Sequence, residues 1–146
     1  MEKKTEDLVH EIKSSASIKN YLDNNESECI NIDLDAYLGD LIKKKGLGRK
    51  YIFNRGNIAK NYGYHLLSGR KKSPSRDMMI KFCLGLELNI DEAQQLLRIS
   101  RLGSLYARDK RDSVIMFCLE NQKTALECDL LLDEMNLPAL ASSTAE

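Results

Sequence analysis

The sequence has no tryptophan, two prolines and three phenylalanines in 146 residues. No stretch approaches the roughly 20 consecutive apolar residues needed to span a bilayer, and no apolar run of the secretory kind opens the chain. A cytoplasmic protein away from the membrane is expected. The four cysteines (Cys29, Cys83, Cys118 and Cys128) form no C-x-x-C pair, and neither His10 nor His65 stands at a zinc-ligand spacing from them. No metal site is expected. Cys83 and Cys118 fall inside apolar helical runs, where a free thiol packs as a small hydrophobe, in keeping with a reducing compartment.

Catalytic signatures are missing as well. No Gly-rich phosphate loop, metal-ligand cluster, Ser/His/Asp arrangement or Cys/His arrangement is visible, so neither an enzyme nor a cofactor is expected. The acidic clusters Asp91-Glu92 and Asp109–Asp112 suit helix starts and surface pairs.

The most informative absence is local. From Leu41 to Arg76 there is no acidic residue, while eleven lysines and arginines give that segment a charge of +11. Residues 1–40 carry four basic and ten acidic residues, and residues 77–146 carry seven and twelve. The chain's net charge of zero therefore conceals a basic middle between two acidic flanks. Such a segment displaces counterions from a polyanion, whereas an ordinary solvated surface mixes both signs.

Apolar spacing is helical throughout, and no run of period-two alternation competes with it. Before Asn25, Leu8, Val9 and Ile12, then Ile18, Tyr21 and Leu22 after a Ser-rich break, predict one or two amphipathic helices. Asp33 is a natural N-cap for a helix with the stripe Leu34, Leu38, Leu41 and Ile42, closed by Gly46 and Gly48. Two short helices follow at about 49–55 and 59–68, with Gly69 as a C-cap and Pro74 before a helix starting near Ser75.

The second half repeats itself. Arg76-Asp77-Met78-Met79-Ile80-Lys81-Phe82-Cys83-Leu84 recurs 35 positions later as Arg111-Asp112-Ser113-Val114-Ile115-Met116-Phe117-Cys118-Leu119. The register continues without a gap through Ala93/Cys128, Leu97/Leu132 and Leu105/Leu140. Each copy is predicted to be a helical hairpin. Its second helix is N-capped by Asn89 or Thr124, with Glu92 or Glu127 completing a capping box. Two copies are too few for a solenoid, so the second is expected to extend the core of the first. Being acidic, it is also a candidate surface for dimerisation or for a protein partner.

Residues 47–97 resemble the lambda-repressor-like (Xre/Cro-type) helix-turn-helix family. The resemblance rests on a short helix, a turn at Gly56-Asn57-Ile58 and a second short helix through Tyr62-Gly63-Tyr64-His65-Leu66-Leu67. It extends to Ser68-Gly69-Arg70-Lys71-Lys72-Ser73-Pro74 and to the closing helix pair 78–86 and 91–97. Together with the helical spacing and the repeat outside it, the resemblance implies an all-α fold: a helix-turn-helix bundle over 31–103, preceded by a helical segment at 1–30. A packed hairpin repeat (104–140) and a disordered tail (141–146) would follow. It implies double-stranded DNA as partner, a homodimer, and a recognition helix at about 59–68 in the major groove. Lys60, Asn61 and His65 fall where the family reads base edges. Arg49, Lys50, Arg70, Lys71, Lys72, Ser75 and Arg76 fall where it grips the backbone. Tyr62 and Tyr64 are open to packing or to stacking on bases.

Two departures stand out. Phe53 replaces the family's frequent alanine, and Gly63 replaces a branched aliphatic, which suggests that the ring fills the space the glycine vacates. The function expected is sequence-specific regulation of transcription. The alternative is a helical protein–protein adaptor that keeps the fold without reading DNA.

Overall fold

A computed structural model describes residues 3–29, 33–71 and 73–141. Every regular element among the described residues is helical, and none is long and apolar enough to cross a membrane. The chain divides into two compact units, residues 1–31 and 32–146.

In the first unit, α1 (Thr5–Ser14) and α2 (Ile18–Asn24) precede a single 3-10 turn at Glu26–Glu28. The Ser17 hydroxyl caps α2 by accepting from the Asn20 N–H, which explains the break in helical spacing before Ile18. Tyr21 and Asn25 are buried, whereas Val9, Ile12, Ile18 and Leu22 are exposed.

The second unit contains α3 (Leu34–Lys45), α4 (Arg49–Gly56), α5 (Lys60–Leu67), α6 (Arg76–Gly85), α7 (Ile90–Ile99), α8 (Lys110–Glu120) and α9 (Ala125–Glu134). Helix α6 is its axis: every residue from Met78 to Leu86 is buried, as expected of a helix that is apolar nearly all round. Helix α4 crosses α6 so closely that glycine is required on both sides. A Cβ at Gly85 would lie 2.4 Å from the Ile52 carbonyl oxygen, and one at Gly56 would lie 2.6 Å from that of Lys81. Helix α3 ends as its sequence predicts, with Gly46 left-handed at φ 66°.

The repeat is a pair of hairpins, α6–α7 and α8–α9. Both predicted capping boxes are formed, by Asn89 with Glu92 and by Thr124 with Glu127. Even the left-handed residues recur at the 35-residue offset: Glu87 matches Gln122, and Arg101 matches Asn136.

The hairpins also exchange contacts reciprocally. Arg76 donates from both terminal nitrogens to the Asp112 carboxylate (3.1 and 2.9 Å), and Arg111 does the same to Asp77 (3.0 and 3.0 Å). The Tyr106 N–H donates to Asp112 and the Ala141 N–H to Asp77, each at 2.9 Å. When residue i of one copy meets residue j of the other, and j meets i, the copies are related by an approximate twofold axis. The repeat is thus an internal pseudo-dimer. One sequence expectation needs correction: Ala141 does not begin a free tail, because it closes this exchange. The rest of that predicted tail, 142–146, lies outside the described residues.

Candidate nucleic-acid interface

Helix α5 has two distinct sides. Gly63 and Leu66 are buried, while Lys60, Asn61, Tyr64 and His65 are exposed. Positions 60 and 64, and 61 and 65, are four residues apart and therefore neighbours on one helix face. That face carries an ammonium, a carboxamide, a phenol and an imidazole, a mixture of donors and acceptors suited to polar edges.

The inward side is set by Phe53 and Gly63. A Cβ at Gly63 would lie 2.5 Å from the Phe53 ring, so the ring occupies the volume that a larger residue would need. Phe53 also meets Tyr64 edge-on, with centroids 5.3 Å apart and planes at 89°. This contact fixes the phenol at the surface. The Arg49 guanidinium lies 5.9 Å from the Tyr64 ring centroid and the Lys60 ammonium 6.0 Å from it, which gathers two cations beside one aromatic ring. Tyr62 instead turns inward as a half-buried residue against the core, with the Lys71 ammonium 5.8 Å from its ring centroid.

Beyond α5, the Arg70 and Lys71 backbone N–H groups both donate to the His65 carbonyl (2.9 and 3.1 Å). Gly69 sits at φ 85°, with an Asp35 carboxylate oxygen 3.1 Å from where a Cβ would be, so that turn needs glycine for its left-handed conformation.

Not all of the eleven cations are available to a ligand. Lys45 pairs with Glu92 at 2.9 Å. Arg55 pairs with Glu87 at 3.4 Å and donates to the Gln122 carbonyl at 3.0 Å. Arg76, expected on the phosphate-gripping surface, is committed to Asp112 and to the carbonyls of Gly103 and Ser104, both at 2.9 Å. Ser75 from the same expectation caps α6, its hydroxyl accepting from the Met78 N–H. Lys72 lies outside the described residues. By contrast Lys43, Lys44, Arg49, Lys50, Lys60 and Arg70 are exposed, and none pairs with an acid among the described residues.

Sequence reasoning set Lys60, Asn61 and His65 on one helix, where the structure exposes all three, but it also counted Ser75 and Arg76, which the structure engages elsewhere. It left Tyr64 undecided between packing and display, and the ring does both. An Arg-Asp pair opens both copies of the repeat, and it is the contact between the copies that takes Arg76 from the rim. No protein-family model, curated protein or solved structure matches the chain.

Proposed function

We propose that the chain is a sequence-specific, double-stranded DNA-binding regulator of transcription that lays α5 of a helix-turn-helix in the major groove. The observation that carries this reading is the outward face of α5. Lys60, Asn61, Tyr64 and His65 stand exposed there, with Arg49 beside Tyr64 and no acid anywhere in the segment from Leu41 to Arg76.

Division of labour follows from chemistry. Asn61 can pair in bidentate fashion with adenine, Lys60 can donate to guanine, and His65 can donate or accept. Arg49, Lys50 and Arg70 neutralise phosphates, with Lys71 and Lys72 adjoining them in sequence. Binding should then weaken steeply with salt, because each neutralised phosphate releases condensed counterions.

The test is selection of bound sequences from a random duplex pool, followed by titration over several salt concentrations. The pool should return a preferred sequence, with a half-site spacing if two copies bind together. Asn61→Ala should flatten preference at one position by about 1–3 kcal/mol. Arg49→Ala should weaken binding to all sequences alike and lower the salt slope by about one. Absence of any affinity for duplex DNA at low salt would overturn the proposal.

A further inference from the structure

Helices α1 and α2 run antiparallel. The Lys3 N–H, just before α1, donates to the Glu28 carboxylate beyond the end of α2 at 3.2 Å, and the Lys3 ammonium reaches the Asn25 side chain. The pair encloses little. Tyr21 and Asn25 are its buried residues among those described, and α1 buries none. Val9, Ile12, Ile18 and Leu22 are instead 44%, 49%, 65% and 48% exposed.

These four hydrophobes lie on one side of the pair. Half-buried Leu8 and buried Tyr21 mark the inward direction of each helix. Val9 and Ile12 stand one and four positions after Leu8; Leu22 stands one after Tyr21 and Ile18 three before it. At about 100° per residue, all four fall roughly 40–100° round from inward in the same rotational sense. In two antiparallel helices the same sense points to the same side, so the hairpin displays one apolar face. Units this small are commonly completed by association.

Charge selects the occupant. From Ile12 to Asn20, the connecting end of the hairpin, there are two lysines, Lys13 and Lys19, and no acid. The open end holds Glu6, Asp7, Asp23, Glu26 and Glu28 against Lys3 and Lys4, and Lys3 is already paired with Glu11 at 3.0 Å. The hairpin therefore has a positive end and a negative end. In α1 the helix dipole favours that order, but α2 opposes it, with Lys19 in its first turn and Asp23 in its last. Helix capping does not account for both. A second hairpin turned end for end does, because each positive end then meets a negative one.

We propose that the Val9/Ile12/Ile18/Leu22 face packs on the same face of a second copy of this chain, across a twofold axis perpendicular to the helices, to form a four-helix dimerisation unit. Helix α1 then lies antiparallel to its own mate, with Glu6 approaching the partner's Lys13, and α2 does likewise, with Asp23 approaching the partner's Lys19. The interface is isologous, so each contact occurs twice. An axis along the helices would bring like ends together, so charge sets the orientation while the hydrophobes supply the affinity. The inference rests on no part of the groove-binding proposal.

The test is sedimentation equilibrium of the full chain. It should show a dimer of the 16.6 kDa chain, with a Kd on the order of 10 µM. Ile18→Asp, at an exposed position, should weaken association about a hundredfold, since one buried isoleucine contributes about tenfold and the axis counts it twice. Two charge variants locate the contact. A Lys13→Glu/Lys19→Glu chain is acidic at both ends of its hairpin, and a Glu6→Lys/Asp23→Lys chain is mostly basic at both. Each alone should dimerise at least about tenfold more weakly than the unaltered chain, and their mixture should form heterodimers. Far-ultraviolet dichroism of every variant checks that its helices persist, and the mixing result stands even where Ile18→Asp loses α2.

Three results would each overturn the proposal: a chain that stays monomeric at roughly tenfold above that Kd, a dimer indifferent to Ile18→Asp, or a mixture no more associated than its two components. No DNA enters the experiment, so failure of the groove-binding proposal would leave this one standing.

Discussion

The two hairpins share a motif, a pair of capping boxes and a set of left-handed turns, yet their surroundings are opposite. In the first, Phe82 is inside a close-packed junction where α4 and α6 touch through glycines. In the second, the matching Phe117 faces out, and Glu120 stands where Gly85 permits the crossing. The difference teaches that the hairpin is a self-sufficient building block. Its capping, its turns and its exchange with its twin are internal to the repeat, whereas the burial of its outer face depends on what else the chain supplies. In the first copy that supply is α3–α5, the segment carrying the basic surface.

The largest test of this contrast exploits the paired phenylalanines. Phe82→Ala should destabilise the protein by about 4 kcal/mol, through lost transfer energy and a cavity that rigid neighbours cannot fill. Phe117→Ala, at a half-exposed site, should cost less than about 1 kcal/mol. Denaturant titration of both variants measures the two values. Equal losses would mean that the second face is already covered in solution.

The next tests the glycine crossing. Gly85→Ala should cost about 3 kcal/mol, because the new Cβ meets a backbone carbonyl that cannot rotate away, and this outweighs alanine's better helix propensity. Glu120→Ala, its counterpart, should stay within about 1 kcal/mol, the scale of the hydrogen bond its carboxylate accepts from the Ile90 N–H at 3.3 Å. If Gly85→Ala were neutral, the close approach of α4 to α6 would not be a requirement of the fold.

Much of this organisation was legible in the sequence because it is local. Helical spacing, glycine stops and the capping boxes depend on residues within a few positions of one another, and the 35-residue offset follows from the repeated motif. The Phe53–Gly63 match was legible too, since a large residue beside a missing one suggests compensation. Burial of the two Phe-Cys-Leu motifs was not. The same three letters lie inside in one copy and partly outside in the other, and only tertiary neighbours decide. Nor was the fate of Arg76: two Arg-Asp pairs in sequence do not reveal that each arginine reaches across to the other copy's aspartate. The face of α5 was legible to the extent that helix periodicity fixes which residues point outward. The cations around Tyr64 depend on where Arg49 sits, at the start of a different helix.

The smallest expected effect tests the twofold exchange itself. If the two ion pairs are equivalent, Asp77→Asn and Asp112→Asn should destabilise by similar amounts, about 2 kcal/mol each, the scale of a charge-assisted, partly buried pair. A marked inequality would show that the symmetry of contacts is not one of energy. The pH dependence adds a direction. Burial pushes the Asp77 carboxyl up, but the Arg111 guanidinium and the Ala141 N–H outweigh it and hold it below the ordinary carboxylate range. A carboxyl whose folded value lies below its unfolded value contributes stability that is complete above the unfolded value of about 3.9 and is lost as pH falls through the folded one. Asp77→Asn should therefore flatten the acid limb of the stability profile below about pH 4, with its deficit largest near neutrality and shrinking toward acid. A parallel profile, offset equally at every pH, would assign the loss at Asp77 to packing and leave the charge exchange without an energetic role.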